Sequence, residues 1–269
     1  MTNSIELINK ELRRFNGVGI DIILSKRGLT TLQGIIFPKD IINLNISKNQ
    51  LTSLQYCPTN IRILNCMLNQ ITSLQHCPEN VLELDCSHNQ ITSLQYCPNN
   101  LQELYCTSNR LTSLQYCPQG LQVLWCRNNQ LNNLQYCPES LNILKCDYNQ
   151  LTSLQYCPEN LRVLYSSNNL LTSLRYCPEN LQSLYYDNNP LSPEYLNKSL
   201  NEIKSINLNL FLRGLSIIDS LILNQKASQI QRCWDNYWYK PNEQGISRHA
   251  VQGIQNIKDK EGIQIIYKN

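Results

Sequence analysis

Histidine is scarce in this chain, and its scarcity removes most of the chemistry an enzyme would need. His76, His88 and His249 are the only three in 269 residues, and no two stand at the spacing of metal ligands. No Cys-x-x-Cys pair occurs, so a structural zinc site has no basis in the sequence. No Ser or Cys has a nearby His in a pattern that marks an activated nucleophile. Charge is thin as well, at 16% of residues with a formal net of +3. Lys and Arg are not concentrated in any stretch of the repeats, as a nucleic-acid groove would require. No apolar run is long enough to cross a bilayer. The first sixteen residues lack the apolar stretch after a basic one that marks a signal peptide. Neither a cofactor nor a metal is expected, and neither a membrane nor a nucleic acid is the expected partner.

What the chain has in abundance is repetition. Eight windows, opening at Ile41, Ile61, Val81, Leu101, Leu121, Leu141, Leu161 and Leu181, follow one template every 20 residues. It reads L-x-x-L-x-C-x-x-N-Q-L-T-S-L-Q-Y-C-P-x-N, and only the second half of the last window departs from it. Residues are placed below by their position, 1 to 20, in this template. A fixed short period means a solenoid in which each unit buries its apolar face against its neighbours.

Thirteen cysteines suggest disulfides until their placement is considered. Cys57, Cys77, Cys97, Cys117, Cys137, Cys157 and Cys177 share position 17, while Cys66, Cys86, Cys106, Cys126 and Cys146 share position 6. Only Cys233 stands apart. Such columns read as small apolar residues packing on copies of themselves. Ser166 and Tyr186 enter the second column with no matching loss in the first, which also argues against bridges. Reduced thiols imply a cytoplasmic protein. Asparagine is equally overused, at 35 residues. One cause is structural: position 9 is Asn in all eight windows, Asn49 through Asn189. These amides are expected to satisfy backbone groups at the turn leaving each strand, in their own unit and the next.

The apolar residues at positions 4 and 6 have the period of two that marks a short strand, for example Leu104-Tyr105-Cys106. Eight such strands, about 4.8 Å apart, would make a sheet roughly 35 Å long. Positions 11 and 14 return to the core. The residue before Pro avoids the helical region, so the second half of each unit is expected to be extended or polyproline-like. A propeller fits poorly, because each unit holds only one strand-like tripeptide. The interchange of Asn60, Asn80 and Gly120 at position 20 suggests a turn of positive φ.

The pattern L-x-x-L-x-C/L-x-x-N resembles the leucine-rich repeat family, in a short 20-residue form. It is similar to the Cys- and Asn-rich repeat proteins of giant amoeba-infecting viruses and, less closely, to the arrays of bacterial effectors. It lacks the Leu-Pro pair usual in the latter. The resemblance covers residues 41–189 and implies a curved parallel sheet with a concave recognition face and few helices except at the caps. It also implies a protein-binding module and not an enzyme. If the chain is viral, its compartment would be the host cytoplasm and its partner a host protein.

Solenoids need caps. Ile5, Ile8, Leu12 and Phe15 have helical spacing, so residues 1–19 read as an N-terminal cap with a helix over 4–15. The solenoid is expected over 20–210, with degenerate units at Ile22, Leu24, Leu29 and Leu32 and a last strand-like stretch from Ile203 to Leu210. Residues 211–269 read as a C-terminal cap or small helical subdomain. Within them Ala227, Ile230, Trp234, Tyr237 and Trp238 form a helical stripe. Ile246 to Ile257 suggests a second helix and Gly262 to Tyr267 a strand. Cys233-Trp234-Asp235 resembles the Cys-x-Asp of bacterial ubiquitin ligases that carry short repeat arrays, whose catalytic domain is far larger than this segment. Ile230-Gln231 resembles the opening of a calmodulin-binding motif whose later Arg and Gly are missing here.

Variation concentrates at positions 2, 3, 5, 7 and 8, around the exposed side of each strand. Position 5 runs Asn45, Asn65, Asp85, Tyr105, Trp125, Lys145, Tyr165, Tyr185. Arg127 and Asp147 stand at position 7 and Tyr148 at position 8. Asp85, Tyr105, Trp125, Arg127, Lys145, Asp147, Tyr148, Tyr165 and Tyr185 therefore form the candidate protein-binding patch, because its aromatic and Arg content matches interface hot spots. The competing reading is aromatic stacking along a sheet with no specific partner. Another alternative is the substrate-recognition module of a ubiquitin-ligase-type system. The Tyr column at position 16, with His76 once, reads as structural.

Overall fold

The computed structural model describes residues 2–14 and 19–223. It divides into two compact units, residues 1–203 and 204–269. The expected elements from Ala227 to Tyr267, the Cys233 motif and Phe15 lie outside the described residues.

Nine parallel strands form one curved sheet in chain order. They are β1 (Ile20–Ile23), β2 (Ile41–Asn45), β3 (Ile63–Asn65), β4 (Glu83–Asp85), β5 (Glu103–Tyr105), β6 (Val123–Trp125), β7 (Ile143–Lys145), β8 (Val163–Tyr165) and β9 (Ser183–Tyr185). From β2 onward each residue pairs with its own copy one period later, as in Leu104 with Leu124 and Tyr105 with Trp125. From β3 onward each strand covers positions 3 to 5, one residue earlier than the apolar period placed it. Past the strand the ladder continues through the turn. The Cys106 N–H donates to Trp125 O at 2.8 Å and the Ser108 N–H to Arg127 O at 2.9 Å.

Positions 1, 4, 6, 11 and 14 face the interior. In the fifth unit Leu121, Leu124, Cys126, Leu131 and Leu134 are all fully buried. All twelve described thiols are free. Each position-6 Cys is enclosed, which lifts its pKa; burial pushes the Cys126 thiol up to about 12. A small side chain at this position lets successive coils approach closely, and its weak donor finds a carbonyl: Cys146 Sγ lies 3.2 Å from Tyr165 O. Ser166 uses its hydroxyl in the same way toward Tyr185 O, at 3.3 Å.

The Asn ladder satisfies backbone groups at the turn of its own unit, as expected, and of the preceding unit where the next was expected. Asn109 Oδ1 accepts the Ile91 N–H at 2.9 Å, and its Nδ2 donates to Cys86 O at 3.0 Å and Cys106 O at 3.1 Å. Every bridge reaches back to the preceding unit, not forward to the next. The amide stands just after its own strand, within hydrogen-bond reach of the Ile91 N–H and the Cys86 carbonyl of the previous unit. The residue before it, position 8, holds a left-handed backbone in every unit, from Lys48 at φ +57° to Asn188 at φ +56°.

The second half of each regular unit carries two tight turns and no helix. In the first turn the Cys117 N–H donates to Leu114 O at 2.9 Å, and Tyr116 takes φ +67°. Tyr56, His76, Tyr96 and Tyr136 do likewise. The expected positive φ at position 20 is corrected by this: the turn closes between Pro118 O and the Leu121 N–H, and neither Gln119 nor Gly120 has a positive φ. Such a turn accepts Asn, Ser or Gly without strain.

Helix α1 (Thr2–Leu12) caps the first coil through Ile8 and Leu12, which are 2% and 4% exposed. Asn9 locks it in place, donating to Gly34 O and accepting the Ile36 N–H, both at 2.8 Å. At the other end the fold departs from expectation. Ile203–Leu210 is not a strand but part of helix α2 (Leu200–Leu223). Ser199 and Glu202 form a capping box, Ser199 N–H to Glu202 at 2.8 Å and Glu202 N–H to Ser199 Oγ at 3.3 Å. That start signal outweighs the short alternation of apolar residues. Ahead of it, a single 3₁₀ turn (Pro193–Tyr195) inserts the fully buried Tyr195. The expected solenoid boundary at 210 compares with a unit division after Ile203.

Candidate recognition face

Because every strand repeats in the same register, positions 3 and 5 form two rows of side chains crossing the concave face. On the position-5 row Tyr105, Trp125, Lys145, Tyr165 and Tyr185 are successive register partners. Tyr105 meets Trp125 edge to face, with centroids 4.8 Å apart. Tyr165 and Tyr185 stack at 4.1 Å with ring planes 10° apart. Between the pairs, the Lys145 ammonium lies 3.8 Å from the Trp125 centroid and 4.9 Å from that of Tyr165. The ladder is thus continuous, aromatic faces alternating with one cation that their quadrupoles attract. Trp125 Nε1 is buried and has no hydrogen-bond partner.

The flanks are set by ion pairing. Arg127 Nε lies 3.1 Å from Asp147 Oδ2, and its guanidinium stands 5.9 Å above the Tyr148 ring. The Asp147 side chain is only 6% exposed, and its other oxygen accepts the Ser167 N–H at 3.3 Å. Burial raises the Asp147 pKa, opposed by the attraction of Arg127. Asp147 therefore holds Arg127 in place and offers little surface of its own. Tyr148, at a left-handed turn position, is 53% exposed.

Asp85 differs from the aromatic members. Its Oδ1 accepts the Ser87 N–H at 3.0 Å, as Asn45 accepts from Ser47 and Asn65 from Met67. In the three units with Asn or Asp at position 5, the short Asx side chain closes the turn after the strand. The structure thus brings Tyr105, Trp125, Lys145, Tyr165 and Tyr185 into one ladder with Arg127, Asp147 and Tyr148 beside it. Asp85 falls at its acidic end.

Two residues of this face were absent from the candidate patch. Glu83 and Glu103 occupy position 3 of β4 and β5 and are register partners. Tyr105 donates its hydroxyl to Glu103. Burial first, and then repulsion from Glu103 and Asp85, raises the Glu83 pKa above the ordinary carboxylate value. The signal that could have found them is the period of two, since positions 3, 5 and 7 share one side of a strand.

Among the described residues no group of three or more His, Cys, Asp or Glu could hold a metal ion. No described helix is long and apolar enough to cross a membrane.

These features define a leucine-rich-repeat-like solenoid. Comparison with solved structures agrees: the chain is similar to an internalin, InlF, of Listeria monocytogenes, at 20% identity with a TM-score of 0.56. That match covers 67% of this chain and 56% of the internalin. YopM of Yersinia enterocolitica matches at 26% identity, with a TM-score of 0.44, over 58% of this chain and 44% of its own. The chain thus spans about half the length of these structures. Neither a protein-family model nor a curated protein matches it.

Proposed function

We propose that the protein is a non-enzymatic scaffold that binds a partner protein on the concave face of its sheet. The observation that carries this reading is the ladder from Tyr105 to Tyr185, held in place by the register of the sheet before any partner arrives. A preorganised surface loses little conformational freedom on binding, so more of the contact energy appears as affinity. Large aromatic rings and Arg are the side chains that most often anchor such contacts. The similarity of the Cys- and Asn-rich template to repeats of giant amoeba-infecting viruses supports a host protein as partner and the host cytoplasm as the compartment. Twelve free thiols fit a reducing compartment.

One observation favours the alternative of a purely structural repeat protein. Lys145 and the Tyr165–Tyr185 stack already satisfy each other. Affinity capture with the full chain separates the two, comparing the natural sequence with a Tyr105→Ala, Trp125→Ala double variant of unchanged circular dichroism. Loss of captured proteins supports the scaffold. An identical set of proteins removes this face as the binding site.

A further inference from the structure

We infer that the concave face receives an extended, cationic segment of the partner protein. Its Lys or Arg would lie over Glu83, Asp85 and Glu103, and an aliphatic or aromatic side chain two to four positions away would pack on Trp125. The inference rests on the binding reading above and adds the chemistry of the partner.

The charge on this face is divided. Strands β1 to β5 carry Asp21, Glu83, Asp85 and Glu103 at positions 3 and 5 or their equivalents, with no Lys or Arg in those rows. The two cations of the face, Arg127 and Lys145, stand on the next two units, and Arg127 is already paired with Asp147. Arg27, Arg127 and Lys198 pair elsewhere, with Glu11, Asp147 and Glu202, and no described cation forms an ion pair with Glu83, Asp85 or Glu103. Their recorded partners are uncharged: the Ser87 N–H for Asp85 and the Tyr105 hydroxyl for Glu103.

Glu83 and Glu103 also face each other directly across β4 and β5. Like charges in that relation destabilise a sheet, and a bound cation converts the repulsion into attraction. Half-burial strengthens the effect, since the surrounding dielectric is lower than that of water. Beside this acidic end, position 3 turns apolar, with Val123, Ile143 and Val163 flanking Trp125 and Tyr165. A nucleic acid would meet three carboxylates here, which makes a protein segment the better match.

Geometry sets the spacing. From the Glu83–Glu103 pair to the Val123–Trp125 surface is one to two strand intervals, about 5–10 Å. An extended chain rises about 3.3 Å per residue, and the flexible stem of Lys or Arg takes up the remainder.

Selection of a random 12-residue peptide library on the full-length protein tests this, followed by anisotropy measurements on the enriched peptides. Enriched peptides are expected to carry Lys or Arg two to four positions from an aliphatic or aromatic residue. Their affinity should fall tenfold or more for a Glu83→Gln, Glu103→Gln variant, and that variant should no longer distinguish them from versions with Gln in place of the cation. Trp125→Leu should weaken all of them. Peptides that lose affinity with Trp125→Leu, yet are neutral or acidic and indifferent to the two Gln substitutions, would overturn the cationic segment and leave the binding face standing. Enriched peptides indifferent to all three substitutions would overturn both. Displacement of the peptides by a deoxythymidine 12-mer that depends on Lys145 would overturn the protein segment in favour of a nucleic acid.

Discussion

The Lys145 ammonium stands 3.8 Å from the centre of the Trp125 ring, one strand away across the sheet. A half-buried cation–π pair of this kind contributes on the order of 0.5–2 kcal/mol. In a double-mutant cycle with Trp125→Leu and Lys145→Met, followed by urea unfolding, the coupling energy should fall in that range. A coupling near zero would mean that Lys145 is free to leave the ring and serve a partner.

The Asn ladder should be the most sensitive polar feature of the fold. Asn109→Ala leaves the Ile91 N–H unpaired and removes one of two amide donors from the Cys86 and Cys106 carbonyls, which keep those of Asn89 and Asn129. Each buried group left unpaired costs about 1–3 kcal/mol. A loss of about 1–3 kcal/mol is expected in chemical unfolding. Asn189→Ala, where the side chain is partly exposed, should cost less. Equal losses would show that the ladder does not derive its strength from burial.

Alkali should unfold the protein cooperatively. The buried thiols keep their protons in the fold, with Cys77 and Cys126 pushed up to about 12 from 9.0. Below pH 9 both states are protonated and the stability is intact. Between about 9 and 12 only the unfolded chain releases protons, so stability falls as pH rises. One unit above the unfolded pKa each such thiol removes about 1.4 kcal/mol. Several thiols together exceed the stability of an ordinary domain. Circular dichroism should show the transition soon above pH 9, and Cys→Ala substitution at several position-6 sites, in a variant that still folds, should move it upward.

Acid should act on the start of α2. Hydrogen bonds from Ser199, with Lys198 assisting, hold the Glu202 pKa near 2, below its usual 4.5. The carboxylate contribution is therefore complete above about 4.5 and disappears as pH falls toward 2. An NMR titration of Glu202 should give a midpoint near 2, and Ser199→Ala should return it toward 4.5.

Much of this fold is legible in the sequence because the repeats average out local ambiguity. One window of L-x-x-L-x-C could be strand or helix; eight at fixed spacing allow only stacked strands. The inward residues, the turn Asn and the absence of a helix from the regular units all follow from columns. The end of the array is not legible in the same way, because the columns stop there. Ile203 to Leu210 has only its own apolar pattern to judge by, and the Ser199–Glu202 box decided for a helix. At position 16, Tyr56, Tyr96, Tyr116 and Tyr136 hide a different fact, since nothing in a Tyr announces a left-handed backbone.

The sequence by itself determined the period, the buried columns and the residues that vary on the exposed side of each strand. Repetition makes these properties local, so each unit states them again. Which varying residues act together was decided only by the tertiary structure. Asp147 became a buried anchor for Arg127, and Glu83 the neighbour of Glu103. The reason is distance: these contacts join residues 20 apart in the chain and one strand apart in space, and they exist only once the coils have stacked.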